Sequence, residues 1–533
     1  MITSLYQSLC NMETNIADRV ALRWYDEKKQ GVAEVHYAQY AQDLRRFVAF
    51  LRAEYGDVRG KRVAILARNS YQYVICMYGT VIAGAVAVPL NLGKDWDAIS
   101  YELGLTEPVC ILQDGEFAER EPALAETYGS ILKPMDVFAA YEPDEDVTEV
   151  EDLSALAFIM FTSGTTGRSK GVMLSQKNLF SAMPAFLDPF DDVKKYTGWN
   201  TDEFSSLSAL PMFHISAMTS LVSWSITGHS INLCNNLKYF YRDLKKYTGW
   251  NTDEFSSLSA LPMFHISAMT SLVSWSITGH SINLCNNLKY FYRDLGAMHS
   301  EVMAVVPVLL KSIYSDVMKG RRDRLNGLCV LTCGAAMFDP KILSDMMEKG
   351  FFVAQMYGLT ETCGDGAWNS SQEAKYLTSV GHVDLSCEYK LDDGELCMRG
   401  DPIMLGYYKD PEGTAEVIDA DGWFHTGDIA RVEEDGYMYL TGRKKNVIIL
   451  DSGENVSPEE LEKLLVPCAD IQECIVKEKD KKICALIYCD PAKQDAVKEF
   501  VTGVNRGLPL YKRMVTEFSA QPLPRNAMGK LLR

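Results

Sequence analysis
Phe161-Thr-Ser-Gly-Thr-Thr-Gly-Arg-Ser-Lys-Gly171 follows an apolar run, Ala155 to Met160, that reads as a buried strand. Its make-up suits phosphate. Glycines bring the backbone close to an anion and adopt positive φ, hydroxyls and successive N–H groups donate hydrogen bonds, and Lys170 adds a point charge. An ordinary P-loop is disfavoured: that loop places its lysine directly after the last glycine, whereas Arg168 and Ser169 separate Gly167 from Lys170 here. Alone, a Gly/Ser/Thr cluster is also what a plain loop looks like, so the reading depends on what the rest of the chain supplies.

Around this stretch, short apolar runs alternate with helical patterns. Residues 20–24, Val63 to Leu66 and Val109 to Leu112 read as strands, and residues 38–54 as a helix with Leu44, Phe47, Val48 and Leu51 on one face. Such alternation gives an α/β sheet. Tyr73 to Leu90 runs eighteen residues without a charge, but Gly79, Gly84 and Pro89 interrupt it, so a buried helix leading into a strand fits better than a membrane span. The acidic Tyr141 to Asp152 reads as a solvated connection. Downstream, Cys329 to Cys333 ends in Gly334-Ala-Ala336, and Phe351 to Gln355 ends in Tyr357-Gly-Leu-Thr-Glu361. A β-rich stretch with Gly394-Glu-Leu-Cys-Met-Arg-Gly400 and Gly422-Trp-Phe-His-Thr-Gly-Asp428 leads to Gly442-Arg-Lys-Lys445. Ser457-Pro-Glu-Glu460 opens a helix with a capping box and proline at the first position. The chain closes on Pro524-Arg-Asn-Ala-Met-Gly-Lys530-Leu-Leu-Arg533.

Taken together and in this order, these motifs resemble the adenylate-forming superfamily, which includes acyl-CoA synthetases, firefly luciferases and the adenylation domains of peptide synthetases. The phosphate loop departs from the family once, with Ser169 where proline is usual, a change that loosens the loop and removes no donor. The resemblance implies a large multi-lobed α/β domain with β-sheets flanked by helices over residues 1–443, and a small mobile C-terminal α/β domain over 444–533. It implies ATP, Mg2+ and coenzyme A as cofactor and co-substrates, and a small-molecule carboxylic acid as the group activated.

Site residues follow by position. The triphosphate falls to Thr162, Ser163, Gly164, Thr165, Thr166, Gly167 and Lys170, and the metal to Glu361 beside Thr360. Adenine lies against Tyr357 and Gly358, with Gly334, Ala335 and Ala336 alongside; the ribose falls to Asp428, with Arg443 further on. Lys530 contacts the substrate carboxylate and α-phosphate. Lys445 is the hinge about which the small domain turns, and Gly453 faces the thiol. The chemistry agrees: a carboxylate is already ionised at neutral pH, so catalysis rests on orientation and charge stabilisation rather than on a general base. Amino-acid-activating relatives carry aspartate after the Phe of a Phe-His segment, whereas this chain has His214 or His265. An uncharged acyl or aryl chain is therefore expected. The stretch Gly442 to Leu450, with Gly453-Glu-Asn-Val-Ser-Pro458, looks most like bacterial fatty-acid ligases; a carrier protein's phosphopantetheine is the alternative acceptor.

One feature belongs to no motif. Lys194 to Leu244 recurs residue for residue as Lys245 to Leu295, a perfect tandem copy of 51 residues. Solenoids need about three or more units, so two identical copies look like a recent duplication or an assembly error; only one copy can fill a given place in a core, and a nucleotide-binding protein inactivated by the surplus copy is the alternative to an enzyme. Composition sets the remaining bounds. At 533 residues with 47% hydrophobic side chains, the chain can bury a large core in more than one domain. A formal charge of −18 with no dense Lys/Arg run argues against nucleic acid. The 14 cysteines are scattered without zinc spacing, and the N-terminus lacks a leader pattern, which points to reduced thiols and a cytoplasmic setting.

Overall fold
The computed structural model describes residues 2–162, 168–182, 256–259, 281–285, 290–298, 300, 302–305, 307–334, 338–364, 366–369, 371–383, 387–450, 454–468, 470–479, 481–524 and 531. They divide into two compact units, Met1–Glu388 with Met398–Phe424, and Tyr389–Cys397 with His425–Arg533.

The first unit carries two large mixed sheets. In the seven-stranded one, Leu156–Thr162, Val86–Pro89, Arg62–Leu66, Cys110–Gln113 and Leu132–Pro134 run parallel in that order. Lys170–Ser175 then adds antiparallel to Leu156–Thr162, and Gly406–Tyr407 antiparallel to Lys170–Ser175. The inner parallel strands, Val86–Pro89 and Arg62–Leu66, are apolar and buried beyond Arg62, as strands covered by helices are, whereas the edge strand Leu132–Pro134 carries Lys133 and is only partly covered. The helix Tyr71–Ile82, capped by Ser70, buries every residue except Gln72, which explains the uncharged stretch; it ends before Gly84 and is followed by the strand Val86–Pro89. Gly79 lets this helix meet Tyr37–Tyr55, since a Cβ there would lie 2.6 Å from Phe47 Cδ1. Among the described residues, no helix is long and apolar enough to cross a membrane. The acidic connection is less solvated than its composition suggests: Val147 is buried, and Asp144 and Glu149 pair with Arg52 and Gln7.

The nine-stranded sheet runs His382–Val383, Gly366–Asn369, Phe352–Gly358, Val330–Cys333, Val302–Val305, Ser256–Ser259, Ser281–Leu284, Val20–Asp26 and Gly31–His36. From Phe352–Gly358 to Val20–Asp26 every pairing is parallel. Two of these central strands, Ser256–Ser259 and Ser281–Leu284, come from the second tandem copy, as do Phe291 and Leu295, which are buried in the core with Met303, Ile313 and Leu331. The second copy therefore occupies the sheet. Only a short connection separates Leu295 from the strand Val302–Val305, which fixes that choice. The first copy lies outside the described residues.

The second unit holds most of a four-stranded sheet, Glu388–Asp392, Glu395–Arg399, Phe424–Val432 and Met438–Arg443, and a three-stranded one, Ile471–Lys479, Lys482–Cys489 and Val515–Phe518. Helices Pro458–Leu465 and Gln494–Arg506 contribute Leu461, Leu465, Val497 and Val501 to its core. The expected capping box is half formed. Ser457 accepts from Glu460 N, but the Glu460 carboxylate pairs with Lys512 instead of returning to the cap.

Candidate active site
The loop that opened the sequence reading leaves one strand and enters another. Thr162 stands opposite Lys170 in register, so Leu156–Thr162 and Lys170–Ser175 pair as the two arms of a hairpin. Tyr408 N donates to Gly171 O at 2.7 Å and Leu405 N to Met173 O at 2.9 Å, which lays Gly406–Tyr407 along the hairpin's outer strand. Lys170 Nζ consequently sits 4.5 Å from the centroid of the Tyr407 ring and 3.4 Å from Asp410 Oδ2. Asp410 is itself the N-cap of the short helix Pro411–Ala415, accepting from Gly413 N at 2.8 Å. A Cβ at Gly413 would come within 2.6 Å of Lys170 Nζ, so glycine keeps this corner open.

Across from the hairpin, the strand Phe352–Gly358 ends in a one-turn 3-10 helix, Thr360–Thr362, which presents Glu361. The Tyr407 hydroxyl donates to Glu361 Oε1 at 3.0 Å, and Met404 N donates to Glu361 O at 2.8 Å. One tyrosine thus joins Lys170, through its ring, to Glu361, through its hydroxyl. Tyr357 is buried opposite Ala367, and the register Cys333 to Gln355 brings Gly334 to the same carboxyl edge of the parallel strands. Such an edge is where open α/β sheets bind ligands. The donor set at Glu361, a hard carboxylate oxygen fixed by a neighbour at the edge of the hairpin, fits a hard divalent cation.

In the second unit, Asp428 and Arg443 are directly opposed in register and form an ion pair, Arg443 Nε to Asp428 Oδ1 at 2.6 Å. Arg443 also donates to Thr426 O at 3.3 Å, and Thr426 Oγ1 accepts from Asp428 N at 3.1 Å. Nearby, Glu395 gathers Lys444 Nζ at 2.7 Å, His425 Nδ1 at 3.1 Å and Gly427 N at 3.0 Å. Burial pushes the Glu395 carboxyl upward, but Lys444, His425 and the Gly427 amide outweigh it and hold it below the ordinary glutamate value. Lys445 follows in the turn Lys444–Asn446 and is exposed.

Of the residues singled out in the sequence, Thr162, Lys170, Gly334, Tyr357, Gly358, Thr360 and Glu361 lie in the first unit, and Asp428, Arg443 and Lys445 in the second. Ser163, Gly164, Thr165, Thr166, Gly167, Ala335, Ala336, His214, His265, Gly453 and Lys530 lie outside the described residues. Sequence reasoning missed Tyr407, Asp410 and Glu395. For Asp410 a signal existed: Asp410-Pro-Glu-Gly413 is a helix start, with a capping residue before proline.

Residues 12–248 and again 229–408 match the AMP-binding enzyme family, and the two ranges overlap at 229–248, inside the duplication. The chain belongs to the AMP-binding enzyme family. By class it is an AMP-forming acid–thiol ligase. Among its relatives is the long-chain-fatty-acid–CoA ligase FadD13 of Mycobacterium tuberculosis (strain H37Rv), 26% identical over 93% of this chain and 91% of that one. In fold it resembles the o-succinylbenzoate CoA synthetase of Bacillus subtilis. The complex with the acyl-adenylate OSB-AMP aligns at TM-score 0.74 and 22% identity, over 99% of this chain and 96% of that one. The complex with ATP and a magnesium ion aligns at TM-score 0.72 and 24% identity, over 99% of this chain and 98% of that one.

Proposed function
We propose that this AMP-binding enzyme activates an uncharged acyl or aryl carboxylic acid, in the first instance a fatty acid, and transfers it to coenzyme A in the cytoplasm. A carboxylate oxygen attacks the α-phosphorus of ATP and pyrophosphate leaves; the thiol then attacks the acyl carbon and AMP leaves. The observation that carries this reading is the Lys170–Tyr407–Glu361 chain. It puts a cation and a metal-competent carboxylate on two sides of one tyrosine at the phosphate hairpin.

In this reading Thr162, Ser163, Gly164, Thr165, Thr166, Gly167 and Lys170 hold the triphosphate. Glu361, with Thr360 beside it, is the residue that would hold magnesium, whose chemistry is to neutralise charge on the phosphates. Tyr357, Gly358 and Gly334–Ala336 form the adenine wall. Asp428 takes the ribose hydroxyls with Arg443 holding its carboxylate in place, Lys530 meets the charge that develops at the α-phosphate, and His214 or His265 lines the acyl pocket. Lys445 is the pivot for residues 444–533, which form the small domain, and Gly453 faces the thiol.

The test is acid-dependent ATP–pyrophosphate exchange over short, long and aromatic acids, in the full chain and in a version lacking 51 residues of the duplication. Removing either copy gives the same polypeptide. Exchange with an apolar acid in both, followed by thioester formation with free coenzyme A, is the expected result. Transfer only to a carrier's phosphopantetheine would move the acceptor to a carrier protein, and ATP binding without exchange in either version would overturn the enzyme reading.

A further inference from the structure
The helix Trp96–Thr106 and the turn before it touch the phosphate hairpin through side chains that no motif contains. Its Glu102 is wholly buried, accepts from Lys94 Nζ, and leaves Oε2 without a hydrogen-bond partner. Lys94 Nζ also reaches Ser169 Oγ at 3.1 Å and lies 5.8 Å from the centroid of the Phe161 ring. One residue before Glu102, the Tyr101 ring lies 5.4 Å from the Arg168 guanidinium carbon. Two consecutive hairpin residues are thus met from one side, Arg168 by Tyr101 on the helix and Ser169 by Lys94 in the turn that precedes it.

The anchor is firm at its own end. Asn91 O accepts from Lys94 N at 3.1 Å, Arg120 donates to Lys94 O at 3.0 Å and to Leu92 O at 2.8 Å, and Asp95 caps the helix by accepting from Ala98 N. A buried carboxylate is costly unless a cation meets it, and a buried polar atom left unpaired calls for a reason beyond stability. Burial pushes the Glu102 carboxyl up, against the pull of Lys94 and Ser169. Proline at 169 would fix φ but offer no hydroxyl; serine supplies the hydroxyl that Lys94 reaches.

We infer that Lys94, seated on Glu102, is a positioning residue that braces Ser169 and so sets the geometry in which the hairpin, with Lys170 next in sequence, receives the triphosphate. This rests on the hairpin's role in ATP binding proposed above. The brace does in this chain what a rigid ring would do at 169. The departure at Ser169 is therefore compensated rather than loosening.

ATP affinity, measured by calorimetry on the full chain, tests it. Lys94→Met together with Glu102→Gln removes the cation without stranding a buried charge, and a urea melt matching the unaltered chain establishes folding. Its ATP Kd is expected to rise roughly tenfold, equivalent to a coupling of about 1.4 kcal/mol. Ser169→Ala is expected to follow it, and Lys94→Arg to recover most of the loss. In a Ser169→Pro background, the Lys94→Met/Glu102→Gln penalty should shrink to within about twofold, because the ring replaces the brace. An unchanged Kd in Lys94→Met/Glu102→Gln would overturn the brace while leaving the hairpin's role intact. A penalty that persists undiminished with proline at 169 would also overturn it, in favour of direct contact between Lys94 and ATP. No ATP binding by the unaltered chain would overturn both readings.

Discussion

Lys170 in the first unit and Lys444 in the second each face one carboxylate, and the two pairs are built differently. Lys444 meets Glu395 at 2.7 Å, and Glu395, only 4% exposed, also receives His425 and an amide N–H. Lys170 stands 3.4 Å from Asp410, which is 39% exposed, with its charge lying over the Tyr407 ring. A buried carboxylate with several donors is an anchor, because breaking any one contact strands charge in a poor solvent. A half-exposed pair at 3.4 Å is worth about 0–1 kcal/mol and gives up its cation readily. The second unit spends its lysine on holding the sheet before the Lys445 turn. The first holds its lysine loosely, as the proposed phosphate role of Lys170 requires.

The comparison breaks most visibly if the loosely held lysine is removed. Lys170→Met should lower acid-dependent ATP–pyrophosphate exchange by about 10²–10³-fold, the scale on which losing one preorganised charge donor acts, with little change in urea stability. An equal loss of stability and exchange would make Lys170 an anchor like Lys444 and erase the distinction. Next in size is Tyr407→Phe, which keeps the ring under Lys170 and removes the hydroxyl on Glu361. Removing a hydrogen bond that orients a metal-binding carboxylate typically costs about 10–100-fold in metal affinity or activity. Magnesium titration of exchange should show that shift with the ATP Kd nearly constant; an unchanged magnesium dependence would detach Glu361 from the metal.

How far these pairs could be read from sequence depends on how local each one is. Thr162 and Lys170 sit in a short stretch whose composition suits phosphate and which follows an apolar run, whereas Thr360, Glu361, Asp428 and Arg443 are legible only through the resemblance of their motifs to the family. Tyr407 is a different case. It matters because pairing of Gly406–Tyr407 with the hairpin strand carries it to Glu361, 46 residues away in sequence. Nothing in Gly-Tyr-Tyr-Lys announces that. Lys94 and Glu102 look like an ordinary helix start until burial shows the carboxylate wholly enclosed. Ser256–Ser259 holds a single apolar residue and Ser281–Leu284 alternates over only four residues, too little pattern to mark a buried parallel strand. Their place in the middle of a parallel sheet comes from pairing with neighbours on both sides.

On the anchor side, Glu395→Gln should cost about 1–3 kcal/mol at neutral pH, because Lys444 and His425 lose the charge they meet. The sign of the pH dependence follows from the depressed carboxyl. Its contribution is fully present above the unfolded glutamate value, about 4.3, and is lost as pH falls through the lower folded value. Urea melts from pH 7 downward should therefore show the variant's deficit closing in acid. A deficit independent of pH would mean that packing, and not charge, holds the node.

The smallest effect is the most diagnostic, because its sign separates two roles for Asp410. If the aspartate is merely a resting partner, it competes with phosphate for Lys170, and Asp410→Asn should tighten ATP binding. The gain is bounded by what a half-exposed pair contributes, about 1 kcal/mol or roughly fivefold in Kd. If instead Asp410 aims the ammonium at the triphosphate, the same change should weaken binding by a similar factor. The helix cap does not confuse the outcome, since asparagine accepts from Gly413 N as aspartate does and caps about equally well. The 3.4 Å separation, longer than the 2.7 Å at Lys444, favours competition. Tighter ATP binding by Asp410→Asn at low salt, fading as salt screens the half-exposed pair, is the expected result, and weaker binding would make Asp410 part of the phosphate site.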